Sequence, residues 1–363
     1  MKKRPLAPCL FACLLATLAA PPIASAADQA DVLPQATTAS ILFSRSTSWP
    51  DDTLRTATIY RIRPSGGLIT QLTPKTDDIY YLGGSWSPSG SSIVYEKLKL
   101  ATSDRSQLFT IDRNGGSLHR ITSGLARHGS AVWGPGAKIA FITQYGSQSC
   151  LSTVRGDGTN QRDLYCTLRE MATPQWSANG KNLFLHVDYF GSGLDPQWHS
   201  RAYRVNASTG ALTLLTAQTM DDPRYLEFAP DGSRGIYYDL NETTTSMMQI
   251  DFASDTLTSL GDGFLPRYSK DGSQIAFSRT TYGGPPDFPV YTMLYTMHAD
   301  GSFVVERTHD HLDGVQYAVD DWSRDGSRIL VGRNGSLRIL DVATESQTPV
   351  TNGYAGRGAW YQH

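Results

Sequence analysis

Side chains able to do chemistry gather in two short connections. His309, Asp310, His311 and Asp313, followed by Asp320 and Asp321, set two imidazoles among several carboxylates. Such a set could ligate a divalent metal or stay a solvated acidic loop. Asp221, Asp222 and Arg224 make a second charged group, able to bind a polar ligand or to satisfy one another as ion pairs. Two common routes to hydrolysis have no local signature, since neither Gly-x-Ser-x-Gly nor His-Glu-x-x-His occurs. Asp231, Asp271 and Asp325 each precede a glycine and read as turn formers, being too isolated to hold calcium. No catalytic residue and no cofactor are therefore assigned. The alternative is metal-assisted cleavage of a polysaccharide, with His309 and His311 near the molecular axis.

Cys150 and Cys166 flank the turn-forming run Gly156-Asp157-Gly158-Thr159-Asn160, whose centre lies midway between them. Strands leaving that turn bring equidistant positions face to face, which predicts a cross-strand disulfide. Two free thiols packed as small apolar groups are the other reading.

The elements that position these residues are repeats. Trp86-Ser87-Pro88-Ser89-Gly90 with Ile93-Val94-Tyr95 returns as Trp176-Ser177-Ala178-Asn179-Gly180, Phe228-Ala229-Pro230-Asp231-Gly232, Tyr268-Ser269-Lys270-Asp271-Gly272 and Trp322-Ser323-Arg324-Asp325-Gly326, each leading into an apolar run. Trp133-Gly134-Pro135-Gly136 is a copy shortened by one residue. Each copy reads as an aromatic strand end, a tight turn and the start of an antiparallel partner. A second hairpin follows, often closing on Leu-Thr, as at Leu72-Thr73 and Leu215-Thr216. Four antiparallel strands per repeat predict an all-β propeller. Seven blades are favoured and six are the alternative.

The first strand missing before Ile41-Leu42-Phe43 is supplied at the other end by Gly358-Ala359-Trp360-Tyr361, so the two ends are expected to share one blade and hide their edges. Successive first-strand aromatics stand 47, 43, 52, 40, 54 and 38 residues apart, within reach of a four-stranded unit. These aromatics are assigned to packing between blades.

This repeat, running from about residue 40 to the C-terminus, resembles the WD40-like propeller repeat of the TolB family. The resemblance implies a periplasmic, or otherwise secreted, scaffold that binds a protein or cell-envelope component. The sequence departs from that family in having no room for an amino-terminal α/β domain and in counting seven repeats against six. A seven-bladed propeller with histidine-bound metal is also similar in outline to oligogalacturonate lyase, a likeness limited here to the His309-x-His311 pair.

Long connections on a rigid scaffold are the expected binding surface. They run from Arg45 to Thr56, Val187 to Arg201 and Arg279 to Val290, carrying Trp49, Tyr189, Phe190, Trp198, Tyr282 and Phe288. These aromatics suit peptide or carbohydrate contacts, or they cap their own blades.

Lys2, Lys3 and Arg4, an apolar run from Leu10 to Ala20 and Ala24-Ser25-Ala26 read as an export signal cleaved between Ala26 and Ala27. A short segment, 27–39, then precedes one propeller domain, 40–363. The run is too short to span a bilayer and no longer one follows, so no membrane span is expected in the mature chain. The 32 basic residues less those three leave 29 against 34 acidic, which argues against a nucleic-acid partner. A monomer is expected.

Overall fold

A computed structural model describes residues 40–46, 56–100, 105–190, 198–217, 220–221, 223–240, 245–281, 290–351 and 358–361. Regular structure among these residues is almost wholly strand, with a single helical turn of described bounds at Pro135–Ala137. No helix among them is long and apolar enough to cross a membrane. The sheets contain eight, four, six, four, four and four strands. The eight-stranded sheet is two runs of four, bridged only where Ala57 meets Tyr80 in parallel. Antiparallel pairing holds within every run, consistent with a propeller.

Gly358–Tyr361 pairs with Ser40–Ser46, placing Trp360 opposite Ile41 and Ala359 opposite Leu42. Ser40–Ser46 then pairs with Ala57–Ile62, and that strand with Thr70–Gln71. The two ends of the described chain therefore share one sheet, as their complementary motifs require.

The turn motif is held by its own side chains. Ser269 and Ser323 donate to Asp271 and Asp325 at 2.6 Å, while accepting the N–H groups of Gln274 at 2.9 Å and Arg328 at 2.8 Å. Glycine closes the turn because φ there is +75° at Gly272 and +68° at Gly326, a region costly for other residues. The Leu-Thr ending also acquires a cause. Thr73, Thr122, Thr308 and Thr351 accept the backbone N–H of Ile59, Leu108, Leu294 and Leu337 at 2.9–3.0 Å, each 14 residues upstream. A buried donor in each of these four third strands is thereby satisfied.

The core lies between sheets. Val94 and Leu108 pack with Ile139 and Phe141 of the next sheet, and Phe184 and Ala202 with Leu226 and Phe228 of the one after theirs. Ile41 and Phe43 pack with Leu330, Leu337 and Ile339, which joins the first sheet to the last. Trp86, Phe228, Tyr268, Trp322 and Trp360 each belong to such a cluster, with Trp133 and Trp176 packed against two more. The repeating aromatics are packing residues, as their recurrence implies.

Candidate functional site

The first strand of most repeats carries a kink three residues before its aromatic. Gly83, Ser130, Tyr225 and Leu265 hold positive φ of 67°, 54°, 60° and 51°, and the register slips at or beside each. Such a bulge bends the strand and re-aims the residues after it. It leaves the position just before the aromatic beside the next first strand. Ser85 Oγ accepts the N–H of Trp133 at 2.9 Å, Gln175 Oε1 that of Phe228 at 2.8 Å, and Asp321 Oδ2 that of Trp360 at 2.9 Å. Glu227, at the same position, pairs with Arg267 at 2.6 Å and receives Gln175 Nε2 at 3.2 Å. Inner-edge N–H groups that lack a strand partner thus find a side chain one repeat away.

These first strands surround a cavity of about 540 Å³. Its polar lining includes Ser85, Glu96, Ser130, Thr173, Lys270 and Asp321, and its aromatic lining Trp86, Tyr95 and Trp360. Lys270 Nζ lies 2.5 Å from Asp321 Oδ1, so that carboxylate is shared between an ammonium and backbone N–H groups. Glu96, on Ser92–Lys99, is different. Its side chain is 11% exposed, and its Oε1 is buried with no hydrogen-bond partner. Burial pushes the Glu96 carboxyl up, only partly opposed by Ser106, Arg127 and the Ser130 backbone. Arg127 Nε stands 3.9 Å away. A Cβ on Gly129 would come within 2.6 Å of Glu96 Oε2, so a glycine is what gives the carboxylate its room.

The histidine pair lies elsewhere. Glu306 Oε1, on the short outer strand Val305–Glu306, is 2.5 Å from His311 Nε2 and 3.4 Å from His309 Nδ1. His309 Nε2 is 2.9 Å from Glu345 in the turn after Ser336–Asp341. Expected near the axis, these histidines follow the fourth strand Val305–Glu306 in an irregular stretch, where Thr308 Oγ1 accepts the Leu294 N–H of the third strand at 3.0 Å, and neither lines the cavity between the first strands. Asp313 accepts the N–H of Val290, 23 residues upstream, at 2.9 Å. Tyr189 is also spent within its own sheet, 5.3 Å from the His199 ring and with the guanidinium of Arg169 4.5 Å over its face.

Asp221, Trp198 and Arg224 lie on strands paired with His199, Phe190 and Tyr238 respectively, their side chains outside the described residues. Ala26, Ala27, Trp49, Asp222, Tyr282 and Phe288 also lie outside them. Cys150 and Cys166 are opposite in register, with Cα atoms 4.0 Å apart, and are joined as a disulfide. Of the charged and imidazole groups named from sequence, His309 and His311 are the ones brought together among the described residues. The cavity residues were missed apart from Asp321. A signal existed for the inner-edge side chains: Ser85, Gln175, Glu227, Arg267 and Asp321 are polar at the same repeat position, just before the aromatic.

No protein-family model and no curated protein matches the chain. Solved structures similar in fold include a puromycin-hydrolyzing peptidase of Mycobacterium tuberculosis, with TM-score 0.61 and 13% identity over 87% of this chain and 52% of that one. The chain thus spans about half the length of that peptidase. Another is oligogalacturonate lyase in complex with manganese, at 0.58 and 14% over 86% and 84%. TolB from Acinetobacter baumannii aligns at 0.48 and 14% over 84% and 78%. At these identities the likeness to the first two is one of fold, the β-propeller.

Proposed function

We propose that this chain is an exported propeller of the TolB-like kind, a ring of seven four-stranded blades that binds a protein or cell-envelope ligand without chemistry. The ring is supported by core clusters shared between neighbouring sheets, including Ile41 and Phe43 with Leu330 and Ile339, and by the Asp321–Trp360 hydrogen bond. Export is supported by the basic and apolar start of the sequence and by the Cys150–Cys166 disulfide.

One observation carries the binding reading: the cavity between the first strands is lined by a largely buried carboxyl, Glu96, one of whose oxygens has no hydrogen-bond partner. Burial disfavours its charge, with Arg127 Nε no nearer than 3.9 Å, and positive φ at Ser130 adds local strain beside it. A ligand that donates hydrogen bonds, such as an ammonium or amide group of a peptide or an amino sugar, would meet the Glu96 carboxyl where it lines the cavity. The ligand is then held at the inner strands as well as at the long connections.

Capture from an envelope extract, followed by a binding titration with the purified partner, tests this. Glu96→Gln should weaken binding at least tenfold, about 1.4 kcal/mol, while the protein stays folded. Binding untouched by Glu96→Gln and by Lys270→Ala, yet lost on shortening residues 282–288, would move the site to the long-loop rim.

A further inference from the structure

We propose that Glu306, His309 and His311 form a binding site for a divalent transition metal on the outer edge of the molecule, apart from the inner-strand cavity. The three ligand atoms already lie within 4.8 Å of one another. Metal bonds of about 2.0–2.2 Å place tetrahedral ligand atoms roughly 3.3 Å apart, so small side-chain rotations suffice to admit an ion. Two imidazoles and one carboxylate favour zinc, cobalt, nickel or copper over calcium or magnesium.

What separates this group from an ordinary surface cluster is how its members are held. The Tyr295 hydroxyl donates to Glu306 Oε2 at 2.8 Å, leaving Oε1 to face both histidines. His309 turns Nδ1 toward Glu306 and Nε2 toward Glu345 at 2.9 Å. That is the carboxylate–histidine arrangement that orients metal ligands. Glu345 is itself held by Arg307 at 3.2 Å. The His311 ring stacks on Tyr291 with centroids 5.0 Å apart. Between the two histidines, Asp310 is bound by Arg333 Nε at 2.8 Å and by the Tyr317 hydroxyl at 2.9 Å, which pins the loop at its middle.

The histidine side chains are 57% and 47% exposed, so water or a partner's side chain can complete the coordination. Because Glu345 follows the last sheet's third strand while Glu306 belongs to the preceding sheet, the His309–Glu345 hydrogen bond links the site to the neighbouring sheet. The other close group of this kind, Cys150, Asp163 and Cys166, is excluded because its sulfurs are joined as a disulfide.

The test uses tag-free full chain stripped with chelator and titrated with zinc alone by calorimetry, and with cobalt alone by visible absorption. One ion per chain is expected, with cobalt d–d bands of a low-symmetry nitrogen and oxygen site. His311→Ala and Glu306→Gln should each lower affinity at least 100-fold. Glu345→Gln, which removes only the outer partner of His309, should lower it about 10- to 100-fold. Melting curves in chelator verify that each variant is folded, and should one fail, the remaining two still decide. Absence of stoichiometric binding, or parent-like titrations and cobalt spectra in the folded variants, overturns the proposal.

Discussion

Glu96 shows how one residue can weaken a fold and still have a reason to be there. Its folded pKa lies above the ordinary carboxylate value because burial penalises the charge. A raised carboxyl contributes stability that is present below the unfolded value, near 4.3, and lost as pH rises through the folded value. Glu96→Gln removes that dependence. The variant is expected to melt about 2 °C or more above the parent at pH 7, with the gain shrinking toward pH 4. Scanning calorimetry at both values checks this, and an equal or lower melting point at neutral pH would contradict the account of the carboxyl. Stability gained with binding lost is the trade expected of a functional residue. The role was not legible in sequence because Glu96 meets Gly129 and Ser130 only when two separate sheets come together. A single acidic residue in the run Ile93-Val94-Tyr95-Glu96-Lys97-Leu98 does not announce its neighbours.

Elements, by contrast, were read well wherever the information is local. The turn and the strand after it are specified by five consecutive residues, and the structure returns the hydrogen bonds that those residues can make. The bulge before four of the aromatics was invisible because Gly83, Ser130, Tyr225 and Leu265 share a conformation and no chemistry. Turn chemistry also fixes a pH response. Asp325 is pulled down to about 2, chiefly by the Ser323 hydroxyl, and Asp271 is lowered chiefly by Ser269. Depressed carboxyls contribute stability that is present above the unfolded value, near 3.9, and lost as pH falls through the folded one. Thermal stability should therefore drop between about pH 4 and pH 2. Ser323→Ala should raise the Asp325 midpoint toward the ordinary value, as followed by carboxyl NMR. It should also cost about 1–3 kcal/mol at neutral pH, because the Arg328 N–H loses its acceptor. An unmoved Asp325 midpoint in that variant would show that the turn hydroxyl is not the cause.

For the whole molecule the question is whether its parts stand alone or only in a ring. The complementary motifs at residues 41–43 and 358–361 made the pairing of the two ends readable, since a strand missing from one end is present at the other. The position of the histidines was not readable in the same way. Distance from the axis depends on which strand of a blade a loop leaves, and the loops before Tyr317–Trp322 had no boundary signal. If the blades close on themselves, Trp360 is a keystone: it is 7% exposed, packs with Ile41, Phe43 and Leu330, and bonds Asp321 through its backbone N–H. Trp360→Ala should then cost about 3–5 kcal/mol and lower one cooperative transition of the entire chain. An open stack of repeats predicts something else, since each unit then depends only on its neighbours. Fraying would be confined to the first and last sheets, and the Cys150–Cys166 sheet would keep its protection. Hydrogen exchange separates the two cases. In a ring, amides of Leu151 and Phe141 lose protection together with those of Leu42 and Trp322 when Trp360 is truncated, whereas retention of their protection would count against closure.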